Sequence, residues 1–168
     1  MLRLRQEIDE LKSALARAEI EPPSGTEMLS QGDDPVAIQY FFLDYSGATP
    51  QRHDGTCETT WNRIFSAVAP LMIDEVGEQV LRRTLEAFVA STVASEIDKH
   101  SKGSRPNEVR IIVNDFQTIK IQLRALGLIE KSEKQRSLKD KETYWTLTLL
   151  GDKIMTQLRA IRKTEATT

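Results

Sequence analysis

A chain of 168 residues, 39% hydrophobic and 29% charged, has the length of one domain with an appendage. No apolar run approaches the ~20 residues that span a bilayer, and the N-terminus alternates charge with leucine where a signal peptide would carry an apolar block. The net charge of −2 hides an asymmetry: residues 1–102 hold 10 Lys/Arg against 17 Asp/Glu, and residues 103–168 hold 13 against 8, so only the second part suits a polyanion.

Residues 2–19, "LRLRQEIDELKSALARAE", place Leu4, Ile8, Leu11, Leu15 and Ala18 at steps of 4, 3, 4 and 3. That is a heptad seam, with Ile8 and Leu15 at a and Leu4, Leu11 and Ala18 at d. Glu7 at g and Lys12 at e attract across a parallel pair, and a β-branched residue at a with leucine at d favours two strands. Self-association through Leu4, Ile8, Leu11 and Leu15 is the expectation; the alternative is an amphipathic helix lying on its own domain. A seam that starts at the first residue is also compatible with a segment of a longer protein. Residues 20–35, "IEPPSGTEMLSQGDDP", read as a linker, with Pro22-Pro23 ending the helix.

Residues 36–45, "VAIQYFFLDY", have the aromatic and β-branched content of a strand, closed by Ser46-Gly47. Residues 46–59 read as a loop. Over 60–73, Trp61, Ile64, Phe65, Val68 and Met72 recur at helical spacing behind Thr60 as N-cap, with Pro70 disturbing the last turn. Residues 74–99 read as one long helix that buries Val76, Val80, Leu81, Leu85, Phe88, Val93 and Ile97. "HSKGSRPN" (100–107) breaks the chain.

A short strand is expected at 109–113, and then a helix capped by Asn114 or Asp115. It turns Phe116, Ile119, Leu123 and Leu126 inward and stops at Gly127 in the left-handed conformation. A strand begins at Leu128-Ile129. Its returning partner alternates Tyr144, Thr146 and Thr148 with Trp145, Leu147 and Leu149, which sends Trp145 and Leu147 to the core. Thr148 caps a last helix with Leu150, Ile154, Leu158 and Ile161 buried, and 164–168 fray.

The stretch "LRALGLIEK…YWTLTLLGDKIMTQL" resembles the second half of a winged helix-turn-helix domain. In such domains a helix ends at a motif like "LGLI", a β-hairpin wing follows, and a motif like "W-x-L-T-x-x-G" leads into a closing helix. The resemblance covers 60–163, most specifically 115–158. It departs from the usual pattern in a second helix of some 26 residues and in a strand near residue 40. It implies an α+β, mostly α fold: a winged helix-turn-helix with a long second helix and a β-hairpin wing, preceded by a short N-terminal coiled-coil helix. The divisions are 1–19 coiled coil, 20–35 linker, 36–163 winged-helix domain with an extra N-terminal strand, and 164–168 tail. More loosely, coil, linker and winged helix look like the C-terminal module of larger bacterial multidomain proteins.

In DNA-binding members the third helix enters the major groove and the wing touches backbone or minor groove. Carried onto this chain, the reading helix is 115–126, with Gln117, Lys120, Ile121 and Arg124 outward. Glutamine pairs with adenine and arginine with guanine. The wing is 130–143, where Lys131, Lys134, Arg136, Lys139 and Lys141 neutralise phosphates. The wing also holds Glu130, Glu133, Asp140 and Glu142, and Ile121 suits a protein-docking surface better than a groove. Two readings therefore stand: dimeric DNA binding without enzymatic activity, and a protein-interaction or oligomerisation module in a larger assembly.

Other chemistry has little support. His53 and Cys57 in "HDGTC" fall short of the three or four ligands a metal needs, and as base and nucleophile they sit in a loop without oxyanion donors. Asp33, Asp34 and Asp44 read as caps and loop solvation. "KGS" at 102–104 lacks the strand and first glycine of a phosphate loop. No cofactor, metal or membrane partner is expected. One cysteine, Cys57, precludes an internal disulfide and fits a reducing, cytoplasmic setting.

Overall fold

The computed structural model describes residues 2–101 and 109–163. It is a mixed α+β structure with six α-helices and two small antiparallel sheets among those residues. In helix α1 (Leu2–Ala18), every side chain from Arg3 to Ala18 is exposed, the seam residues included. After it, the proline-rich segment makes fixed contacts. Gln31 Nε2 donates to the Thr26 carbonyl at 2.8 Å, Trp61 Nε1 donates to Ser30 Oγ at 2.9 Å, and Gln122 Nε2 donates to the Ser30 carbonyl at 2.6 Å.

Strand β1 (Pro35–Asp44) pairs along its whole length with β2 (Gln51–Thr60), from Pro35 opposite Thr60 to Asp44 opposite Gln51. The expectation of a loop over 46–59 is therefore wrong from Gln51 onward. The period of two is present, but its inward members are His53, Gly55, Cys57 and Thr59, too polar or too small to register as an apolar alternation. Gly55 faces Tyr40, and a Cβ there would lie 2.6 Å from the phenol ring. Strand β4 (Arg110–Ile111), shorter than the five residues expected, joins the other edge of β1, giving the order β2–β1–β4.

Thr60 caps α2 (Trp61–Val68), its hydroxyl accepting the Arg63 N–H at 3.3 Å. A 3₁₀ turn (Ala69–Met72) follows at Pro70. The long helix expected over 74–99 is three elements: β3 (Val76–Gly77), α3 (Glu78–Thr92) and α4 (Ala94–Ser101). Two causes divide it. Val76-Gly77 pairs with Trp145 and Tyr144 of a later strand. At Val93 the backbone leaves helical geometry (φ −104°, ψ 16°), and beside it Thr92 donates its hydroxyl back to the Phe88 carbonyl at 2.9 Å, a bond that bends helices. Val76, Leu81, Leu85, Val93 and Ile97 are buried as expected, and Phe88 is half-buried. Val80 is exposed, because the stripe that α3 turns inward is Leu81, Leu85 and Val89. Of the break expected over 100–107, residues 102–107 lie outside the described residues.

Helix α5 (Val113–Ala125) starts one residue before the expected caps. Neither Asn114 nor Asp115 caps it; Asp115 instead accepts the Gln39 N–H of β1 at 2.7 Å. Phe116, Ile119, Leu123 and Leu126 are all buried. Gly127 closes the helix at φ +71°, with Leu128 N–H reaching the Leu123 carbonyl and Gly127 N–H the Arg124 carbonyl, the paired bonds of a left-handed stop.

Strands β5 (Ile129–Lys131) and β6 (Tyr144–Leu147) form a hairpin, and β3 adds on the far side of β6. Thr148 caps α6 (Leu149–Arg159) through the Gly151 N–H at 2.9 Å. Leu150 and Met155 are buried, and Ile154 and Leu158 pack against the core. Ile161, expected inside, lies past the end of α6 and is exposed. The expected frayed tail, 164–168, lies outside the described residues. One apolar cluster joins both sheets, holding Ile38, Phe65, Ile111, Leu123 and Trp145 together with Met155.

Candidate nucleic-acid interface

Helix α5 and the β5–β6 hairpin enclose a trench between them. Gln117, Lys120, Ile121 and Arg124 of α5 face Lys131 and Trp145 of the hairpin across a cavity of about 310 Å³. A second cavity, of about 660 Å³, adjoins it through the shared residues Glu78, Gln117 and Thr143, and extends to Lys139 and Lys141. Six of the eight side chains singled out for nucleic acid are thus brought to one trench.

Lys120 is not outward, as the sequence pattern suggested. It is 7% exposed and forms an ion pair with Glu78 at the start of α3. Its ammonium also stands 4.8 Å from the Phe116 ring centroid and 5.8 Å from that of Trp145. Position 120 lies one turn beyond Phe116 and next to Ile119, so it shares the buried side once the hairpin covers it. Burial pushes the Lys120 ammonium below its usual pKa, and the Lys131 charge adds to the effect. Glu78 is the countercharge that a buried ammonium requires. Gln117 and Arg124 are exposed, and Ile121 is 66% exposed between them.

The hairpin loop, residues 132–143, is held down by carboxylates. Glu75 accepts the Ser132 hydroxyl at 2.5 Å, pairs with Arg136 at 2.5 Å and reaches Lys134 at 3.9 Å. The Ser132 and Arg136 hydrogen bonds hold its carboxyl below the usual carboxylate range. The Arg136 guanidinium stacks 3.3 Å from the Tyr144 ring centroid, and Tyr144 donates its hydroxyl to Asp140 at 3.0 Å. Glu142 accepts the Gln79 N–H at 2.9 Å, in the first turn of α3, where a helix favours negative charge. Arg136 is therefore committed to Glu75, Lys134 reaches it only at the limit of an ion pair, and both lie away from the trench lining. Arg124, Lys131, Lys139 and Lys141 have no ion-pair partner among the described residues.

Glu75, Glu78 and Ser132 were not singled out by sequence reasoning. Their signal was Gly77, an odd residue inside an apparent helix, which marks the point where the backbone leaves α-geometry for β3. The seam residues of α1, Leu4, Ile8, Leu11 and Leu15, are all exposed.

Elsewhere, Cys57 is buried and its thiol pKa is pushed up by that burial, which suits packing and not nucleophilic attack. His53 stacks on Phe42 with centroids 5.2 Å apart. Asp34 accepts the Gln31 N–H and Asp44 the Ser46 N–H, so both serve local turns, while Asp33 accepts the Asn62 side-chain amide and ties its segment to α2. Among the described residues, no group of three or more His, Cys, Asp or Glu side chains is arranged to hold a metal ion, and no helix is long and apolar enough to cross a membrane. Comparisons with protein-family models, with curated proteins and with solved structures give no match.

Proposed function

We propose that this chain is a non-enzymatic nucleic-acid-binding module that engages duplex DNA along the trench between α5 and the hairpin and is paired through α1. The observation that carries the proposal is the convergence of Gln117, Arg124 and Lys131 on one concave surface, continued by Lys139 and Lys141. Two further features support a winged-helix reading of residues 60–163. The sheet order is β3–β6–β5, with the returning hairpin strand in the centre. Helix α5 runs directly into the hairpin through the Gly127 stop, so one rigid corner sets both. Helix α1, with its four large apolar side chains in water, supplies the basis for pairing.

Four cations per copy, Arg124, Lys131, Lys139 and Lys141, are free to meet phosphate. Binding to random-sequence duplex should then weaken with salt at a log–log slope of about −4 per copy. The double change Arg124→Glu and Lys131→Glu should weaken binding strongly and flatten that slope by about 2, with the far-ultraviolet dichroism unchanged. Lys120 is the wrong residue to reverse for this purpose, since a glutamate there would be buried beside Glu78.

A second reading, docking to another protein through the same face, is favoured by one observation: Ile121 stands 66% exposed in the middle of it. No duplex binding at low salt, or a response that ignores salt, would select that reading and refute the first.

A further inference from the structure

The inner cavity holds more positive charge than its own carboxylate neutralises. Lys120, Arg124 and Lys131 line it, against Glu78 alone. Arg124 and Lys131 lack ion-pair partners among the described residues, while Lys120 is buried with Glu78 on it. A second, independent feature lies in the same wall. Trp145 is 5% exposed, and its indole N–H is buried with no acceptor among the described residues, although buried donors are nearly always satisfied. Three cationic side chains thus stand against one carboxylate around the cavity, and a donor-rich, cationic concavity is built for an anion. Its volume of about 310 Å³ is at the small end of ligand sites.

We infer that this cavity binds a phosphate group, which takes the place of the Glu78 carboxylate on Lys120 and is held from the mouth by Arg124 and Lys131. Glu78 acts as an internal stand-in: it neutralises Lys120 while the site is vacant and competes with the incoming anion. The phosphate belongs either to a free monoester or to a nucleic-acid backbone. The inference shares Arg124 and Lys131 with the DNA-binding reading but does not depend on it, because Glu78, Lys120 and Trp145 lie outside the contacts that reading uses.

The test uses the full chain carrying Trp61→Phe, which leaves Trp145 as its single tryptophan. Its emission is titrated with inorganic phosphate, with adenosine 5′-monophosphate, and with a short duplex lacking terminal phosphates, each against sodium chloride of equal ionic strength. The expected result is a saturable change with at least one phosphate probe and none with chloride. Arg124→Glu, at an exposed position, should weaken that response about tenfold or more. Glu78→Gln should tighten it several-fold, because the internal competitor is gone. A response to monoester and not duplex supports a small-molecule site and leaves the DNA reading to the salt-dependent binding measurement; the reverse supports a backbone phosphate. No saturable change with any probe, or a response indifferent to both Arg124→Glu and Glu78→Gln, would overturn the inference. If duplex bound with the predicted salt slope while Trp145 stayed silent and Glu78→Gln had no effect, this inference would fall and the DNA reading would stand. Should Glu78→Gln lose its dichroism, the exposed Arg124→Glu variant still decides.

Discussion

Gly151→Ala is the sharpest probe of the corner between the hairpin and α6. Alanine is ordinarily the better helix former, by up to about 1 kcal/mol over glycine. Gly151 sits in the first turn of α6, so propensity alone predicts a small gain in stability. The geometry predicts the opposite. A Cβ at this position would lie 1.9 Å from the Leu128 carbonyl oxygen, 2.9 Å from its carbon and 3.2 Å from its Cα. These are backbone atoms, and the Leu128 carbonyl is itself bonded to the Thr148 N–H at 3.2 Å, so it has little room to give. To relieve the overlap, α6 must lift from the turn after α5, which loosens Leu150 and Met155. Overpacking of this kind costs about 1–3 kcal/mol, which outweighs the propensity gain. We expect Gly151→Ala to lose about 1–2 kcal/mol net, read as a lowered urea midpoint at unchanged m. Thr156→Ala, at an exposed site of the same helix, is the control and should gain a few tenths of a kcal/mol. A midpoint for Gly151→Ala equal to or above that of the parent would show that α6 does not cross Leu128 at this distance.

The Glu75 knot predicts an acid-sensitive loop. Its carboxyl is held below the usual range, so the stability it adds is fully present above the unfolded carboxylate pKa and is lost as pH falls through the folded value. Thermal midpoints measured from pH 7 down to pH 3 should drop more steeply for the parent than for Glu75→Gln, and parallel curves would remove the knot from the account. For α1, Ile8→Lys with Leu11→Lys should halve the mass seen by light scattering, and a mass unchanged by those two lysines would discredit the seam.

Legibility of the sequence varied with what covered each element. The stretch from α5 through α6 is readable in its apolar face and its stops, because Phe116, Ile119 and Leu123 keep one helical face, Gly127 terminates it, and Thr148 caps the next helix. Its signals are local, and local physics decided them. Strand β2 was missed because its inward positions are filled by a histidine, a glycine, a cysteine and a threonine, whose fitness for burial comes from β1 across the ladder. The single helix expected over 74–99 failed for a related reason. Val76-Gly77 becomes a strand only because Trp145, nearly seventy positions away, supplies its partner. The trench was half legible. Arg124 and Lys131 were found by spacing and charge. The inward turn of Lys120 was not, since it depends on the hairpin closing over α5 and on Glu78 arriving from a third element.

Asp115, by leaving the helix end uncapped and holding Gln39 instead, ties residues 76 positions apart in the chain. With Ile38 and Phe42 sharing a core with Leu123 and Trp145, the early hairpin is a structural wall of the later half and no mere appendage to it. Such distant closures are entropically late events, so the molecule should assemble slowly for its size. A fragment trimmed to begin at Trp61 would expose the apolar flank that β1 normally covers.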